Sequence, residues 1–202
     1  MKIGAISLGC DKNRVDTEKM LSRLTNGGHT LVGSEEEADV IIVNTCAFID
    51  KAKEESIDEI LNAISAKKSD KKKKIIVTGC LAQRYADTLK EEFPEVDAVL
   101  GIADYDEILS TVQKVSEGDK VYDCVVKDHF YENRVLTTPY HYAYLKIADG
   151  CDNHCTYCAI PSIRGKYRSE KMQDLLAEAK KLSDDGVKEL ILVAQDVSRY
   201  GT

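Results

Sequence analysis

A chain of 202 residues, 43% hydrophobic and 31% charged, allows one large or two small domains with an ordinary globular core. Its longest apolar runs, Val40 to Val43 and Leu190 to Ala194, fall far short of the roughly 20 residues a spanning helix needs, and the N-terminus opens on a strand pattern rather than a signal peptide. The expectation is a cytoplasmic protein with no membrane partner, in which seven cysteines read as metal ligands rather than disulfides. Net charge is −7, and because acid and base balance from Pro139 onward, the acidic excess lies before it; such a surface suits a basic protein better than a phosphate backbone.

The predicted elements alternate. A strand over Lys2 to Leu8 is followed by a helix over Asn13 to Thr25 that stops at Asn26-Gly27-Gly28. Ala38 to Asn44 is a near-continuous β-branched run, as in a parallel strand buried on both faces, and a helix from Asp50 to Ala66 follows with Ile57, Ile60, Leu61 and Ile64 as its buried stripe. The lysine-rich turn Lys67 to Lys74 feeds a strand over Ile75 to Thr78 and a helix from Ala82 to Phe93, ended by Pro94. Val96 to Leu100, Tyr105 to Val115 and Val121 to Val126 extend the pattern to another strand, helix and strand. The fold class is α/β, with an N-terminal doubly wound parallel sheet.

Three cysteines occupy equivalent places on this frame: Cys10, Cys46 and Cys80 each follow a strand, at the edge where strand-to-helix loops converge and ligands bind. Any one of them reads as a small buried residue, but three at matching corners point to a metal centre. Cys124 falls inside a strand pattern and reads as structural.

Periodicity is lost from Asp128 to Tyr140, and Thr137-Thr138-Pro139 reads as a boundary between a domain over 1–137 and a second over 138–202. There a strand over Tyr142 to Ile147 leads into Cys151-Asp152-Asn153-His154-Cys155-Thr156-Tyr157-Cys158. Three thiolates cannot close the four-ligand set of structural zinc or of an all-cysteine cluster, and on a cubane they leave one iron open. Arg164, Lys166 and Arg168 follow as a basic turn, available to a carboxylate or simply solvated; a helix over Lys171 to Leu182 and a strand over Glu189 to Ala194 come next. Two strands and one helix cannot close a barrel, so the chain reads as the front part of a longer protein.

The spacing C-x3-C-x2-C with Tyr157 before its last cysteine resembles the radical S-adenosylmethionine (SAM) enzymes. Ser7-Leu8-Gly9-Cys10 with Lys12-Asn13 and Asp16, Asn44-Thr45-Cys46-Ala47-Phe48-Ile49, Glu55-Ser56-Ile57-Asp58, Thr78-Gly79-Cys80-Leu81-Ala82-Gln83-Arg84-Tyr85, Asp104-Tyr105 and Ala159-Ile160-Pro161-Ser162-Ile163-Arg164-Gly165 narrow it. Together they resemble the radical SAM methylthiotransferases, of the type that modifies an aspartate of a small-subunit ribosomal protein. The resemblance implies two 4Fe-4S clusters and SAM: Cys151, Cys155 and Cys158 would hold the cluster that cleaves SAM, and Cys10, Cys46 and Cys80 an auxiliary cluster that carries the sulfur. Tyr157 would lie against the adenine, Gln195 and Asp196 would contact the methionine amino group, and an external reductant and a sulfur donor are required. It also implies that the 138–202 segment opens a radical SAM (β/α) barrel. The alternatives are methylthiolation of a tRNA adenosine, an electron-transfer or scaffold protein whose clusters do no chemistry, and a zinc module completed by His154.

Overall fold

The computed structural model describes residues 1–102, 107–124 and 133–202. Ten strands and seven helices run β1 (Lys2–Ser7), α1 (Asp11–Asn26), β2 (Thr30–Leu31), β3 (Val40–Thr45), α2 (Asp50–Ser69), β4 (Lys74–Gly79), α3 (Cys80–Arg84), α4 (Ala86–Glu92), β5 (Ala98–Leu100), α5 (Ile108–Glu117), β6 (Val121–Asp123), β7 (Tyr142–Lys146), β8 (Ala148–Asp149), α6 (Ile160–Arg164), β9 (Arg168–Ser169), α7 (Met172–Asp184) and β10 (Glu189–Val193) among those residues.

The first six strands form one parallel sheet in the order β2-β1-β3-β4-β5-β6. Parallel strands need crossovers, and α1, α2, α3 with α4, and α5 supply them. Helices cover the sheet, so its central strands are largely apolar: every residue of β3 is buried, including Asn44 and Thr45 at its end, and Ile3, Ile41, Ile42, Ile75, Ile76 and Leu100 lie at the heart of the core. The chain moves outward from β1 to β2 and then returns past β1 to β3. The order therefore reverses between β1 and β3, and in open parallel sheets ligands bind at the C-terminal ends of the strands at such a point.

Three expectations are corrected in detail. The buried face of α2 is Ser56, Ile60, Ala63 and Ile64, whereas Ile57 and Leu61 are 37% and 48% exposed; small Ser56 and Ala63 let the helix lie close to the sheet and turn the two larger residues to its flank. The single helix expected from Ala82 to Phe93 is two short ones, because Tyr85 leaves helical geometry (φ −131°, ψ 35°). The first begins at Cys80 itself, since Gly79 (φ 94°) turns strand directly into helix. The two-residue strand β2 carries too little pattern to be seen in sequence. The start of the expected 105–115 helix and the end of the expected 121–126 strand lie outside the described residues.

β7 and β10 pair in parallel, Tyr142 opposite Glu189 through Lys146 opposite Val193, with α7 packed against them. β8 and β9 form a short antiparallel ribbon flanking the Cys151–Cys158 loop. Ile163 of α6 is buried in the core of the first sheet, and α1 packs against β7, so the two sheets share a contact face. The segment before β7 is strapped to α1: Glu18 accepts from the Thr137 N–H (2.7 Å) and hydroxyl (2.9 Å), and its carbonyl accepts from the Val135 N–H (3.1 Å). No helix among the described residues is long and apolar enough to cross a membrane.

Candidate metal and cofactor site

The register of the sheet brings three cysteines to one edge. Ser7 pairs with Asn44 and Asn44 with Thr78, so the chain leaves β1, β3 and β4 at one level, with Cys10, Cys46 and Cys80 just beyond. Cys10 precedes the first turn of α1, Cys46 follows Thr45, and Cys80 opens α3. The turn at Gly9 (φ 83°) presses against the second cysteine: a Cβ there would lie 2.6 Å from Cys46 Cβ and 2.7 Å from its Sγ. Gly79 is pressed as closely, its Cβ direction meeting Asn44 Oδ1 at 2.3 Å and the Thr45 carbonyl at 2.4 Å.

Polar side chains hold these loops in place. The Asn13 amide nitrogen donates to the Leu8 carbonyl (2.9 Å) and the Thr45 carbonyl (3.1 Å), tying the β1 and β3 exits together. Asn44 returns the contact, donating to the Asn13 carbonyl (2.9 Å) and to Thr17 Oγ1 (2.8 Å). Ser56 Oγ accepts from the Cys46 N–H (2.9 Å) and lies 2.7 Å from the Ala52 carbonyl, to which it donates. All four residues are buried, so each bond satisfies a group that water cannot reach.

The chemistry of the three thiols differs with their depth. Cys10 is exposed, while Cys46 and Cys80 are buried. Burial pushes the Cys80 thiol up to about 11, against the pull of Arg164, and Cys46 and Cys10 as neighbouring anions push the same way. Three soft sulfur donors at one sheet edge fit a cationic metal centre, which would lower the cost of ionising the buried Cys80 thiol.

On the other side lies the loop Cys151–Cys158. Cys155 is exposed, Cys151 and Cys158 are half-buried, and the loop is pinned by the Cys151 N–H donating to the Gly165 carbonyl (3.1 Å) and the Cys158 N–H to the Cys155 carbonyl (2.9 Å). Gly150 (φ 76°) makes the approach, with its Cβ direction only 2.1 Å from the Lys166 carbonyl oxygen. His154 has a left-handed backbone (φ 44°), and Tyr157 is 87% exposed. Asp196 reaches the loop by accepting from Asn153 Nδ2 (3.3 Å), and its carboxyl is held below its ordinary value by Ser198, whose hydroxyl lies at 2.6 Å. Both polar atoms of the Gln195 amide are buried without a partner among the described residues. An orphaned buried amide next to Asp196 in the chain fits a polar ligand group such as the amino acid end of SAM.

Among the described residues no three His, Cys, Asp or Glu side chains converge tightly enough for one metal ion. A cluster spreads its thiolates over different irons and does not ask for that convergence. Cys124 sits just past β6, half-buried, with its Sγ 3.7 Å from the Ala82 carbonyl and its own carbonyl accepting from Gln83 Nε2 (3.1 Å).

The basic turn after the loop is corrected in part. Lys166 is exposed, but Arg164 is buried and faces Asp16 and Asp149 (both 3.1 Å) instead of solvent. Lys146, also buried, contacts the same two carboxylates. Burial opposes ionisation of Asp16, yet Lys146 and Arg164 hold it below its ordinary value; at Asp149, Arg164 and Lys146 do the same. This set joins α1 to β7, β8 and α6, and sequence reading missed it because its members are 130 and 148 residues apart.

Residues 2–101 match a family described as uncharacterized protein family UPF0004, and residues 145–200 match the radical SAM superfamily. The chain is 53% identical over 204 aligned positions to the ribosomal protein uS12 methylthiotransferase RimO of Clostridium tetani. It is 52% and 54% identical to proteins of the same description from Clostridioides difficile and Lachnoclostridium phytofermentans. In each case the alignment covers 100% of this chain and 46% of the relative, so the chain spans about half the length of the curated relatives it matches. With the UPF0004 match over its first sheet, the radical SAM match after it and this identity along its whole length, the chain is similar throughout to the radical SAM methylthiotransferases.

Proposed function

We propose that the protein containing this chain attaches a methylthio group to the β-carbon of an aspartate in ribosomal protein uS12. The observation that carries the reading is the identity of about half along the whole chain to proteins named for that modification. In this reading residues 1–137 form the domain that holds an auxiliary cluster on Cys10, Cys46 and Cys80, and residues 138–202 open the radical SAM domain, with Cys151, Cys155 and Cys158 as ligands of the second cluster. Bound there, the clusters and SAM would supply the radical and sulfur chemistry needed to replace an unactivated C–H bond.

The chain's own residues bind, orient and exclude water. Asn13, Asn44 and Ser56 fix the loops that carry the auxiliary thiols. The Gln195 amide and Asp196 stand at the end of β10 as polar contacts for the methionine end of SAM, and exposed Tyr157 offers its ring to the adenine. Lys12 links the two halves, its Nζ 3.5 Å from the Ala194 carbonyl. A reductant and a sulfur donor complete the reaction.

The test is anaerobic reconstitution of the full-length protein with iron, sulfide, SAM and reductant, offered uS12 and unmodified tRNA in parallel. Mass spectrometry is expected to find the methylthio group on a uS12 aspartate. Modification of tRNA alone would move the protein to the tRNA branch of the family, and SAM cleavage with neither product labelled would refute both substrates.

A further inference from the structure

Arg164 occupies an unusual position among the buried charges at the junction. Its side chain is 1% exposed, and Nη1 lies 3.1 Å from Asp16 Oδ2 and 3.1 and 3.2 Å from the two oxygens of Asp149. Nη2 faces the other way, 3.3 Å from Asn13 Oδ1 and 3.9 Å from Cys80 Sγ. Lys146 balances the second carboxylate, so the group is two acids and two bases. Four buried charges are no requirement of a stable junction, since apolar side chains of similar volume serve as well. What the arrangement achieves is direction: carboxylates grip one edge of a guanidinium that cannot lose its proton, and the other edge is aimed at a sulfur.

We propose that Arg164 is a positioning residue that holds a fixed N–H donor and a permanent positive charge against the Cys80 sulfur and thereby raises the reduction potential of the centre on Cys10, Cys46 and Cys80. The inference rests on the reading that these three thiols hold a cluster. Reduction adds negative charge to a cluster, and hydrogen bonds and charges around its sulfurs are among the levers that set its potential. Arg164 also ends the short helix α6, next to Gly165, whose carbonyl pins Cys151. One residue therefore touches the auxiliary thiol while belonging to the turn that fixes the other cysteine loop.

The experiment uses the full-length protein with Cys151, Cys155 and Cys158 all replaced by Ala, so that the auxiliary centre alone is titrated. After anaerobic reconstitution, iron and sulfide are counted and the potential is measured by electron paramagnetic resonance during redox titration. Arg164→Met is combined with Asp16→Asn, which removes one cation and one carboxylate together and keeps the junction balanced. The expected result is unchanged iron with reduction disfavoured at least tenfold, about 59 mV lower for a one-electron step. Unchanged iron with an unchanged potential overturns the proposal. Should the double variant fail to fold, Arg164→Lys keeps the charge but loses the aimed planar fork; a smaller fall is expected, and no fall overturns the proposal equally. A parent that takes up no iron refutes the cluster reading itself and the inference with it, which separates the two failures.

Discussion

Lys146→Met removes one of two buried cations and leaves Asp16 and Asp149 to share Arg164. Lys146 is 3% exposed and both carboxylates are equally hidden, so water cannot take over the lost interaction. Removing one partner of a buried pair costs about 3–5 kcal/mol, chiefly because a charge stays behind uncompensated. With a urea dependence of about 2–3 kcal/mol per molar, the midpoint falls by roughly 1–2 M. The assay is urea unfolding of the metal-free chain, followed by far-ultraviolet circular dichroism at neutral pH. Lys146→Met with Asp16→Asn restores the balance as an Asp149–Arg164 pair and is expected to recover most of the loss. A fall under about 1 kcal/mol for Lys146→Met, the value of an exposed pair, would refute the reasoning.

The same junction fixes a pH dependence. The folded-state pKa values of Asp16 and Asp149 lie below those of the unfolded chain, so their contribution is present above about pH 3.9 and is lost as pH falls through the depressed values; acid titration of the metal-free chain followed by circular dichroism reads the loss, and Asp149→Asn is expected to blunt it. Gly79→Ala meets both a glycine-only backbone (φ 94°, ψ −160°) and the Thr45 backbone, and costs about 3 kcal/mol or more because strain and overpacking each contribute about 1–3. Gly28→Ala (φ 84°), with open space around it, costs about 1 kcal/mol in the same unfolding assay; equal losses would refute the steric account. Ser56→Ala strands the buried Cys46 N–H and is expected to cost about 1–3 kcal/mol, measured by thermal unfolding. In the metal-free chain at pH 8, iodoacetamide is expected to label exposed Cys10 and Cys155 well before buried Cys46 and Cys80, the last with its thiol raised to about 11; peptide mapping that finds equal rates would contradict that depth order.

Much of the first sheet is legible in the sequence, because β3 and β4 each carry a β-branched run, Val40 to Val43 and Ile75 to Thr78, as a strand buried on both faces does. The same reading puts Cys10, Cys46 and Cys80 at matching corners, since in a parallel sheet every strand-to-helix loop emerges at one edge. What it misses depends on distance along the chain. Asn13 and Ser56 stand among the residues that carry the family resemblance, yet nothing local says that one bridges two strand exits and the other caps the nitrogen of a cysteine ten residues earlier. Arg164 looks like a member of a solvated basic turn until the fold brings Asp16 and Asp149 to it. Ile57 and Leu61 match helical spacing but lose the sheet to Ser56 and Ala63, because periodicity reports an apolar side and not how closely the helix approaches.

The two cysteine sets also differ in when they come into existence. Cys151, Cys155 and Cys158 are contained in a single loop, so a short stretch of newly made chain already holds the whole trio. Cys10, Cys46 and Cys80 become neighbours only after β1, β3 and β4 have paired across helices that separate them in sequence, and contacts of that kind form late. If the two trios hold iron as proposed, the local one would capture it already on an unfolded chain, whereas the dispersed one would admit it only through a finished sheet. Maturation would then have a built-in order, and a mutation that slows sheet formation would leave a protein loaded at one position and empty at the other.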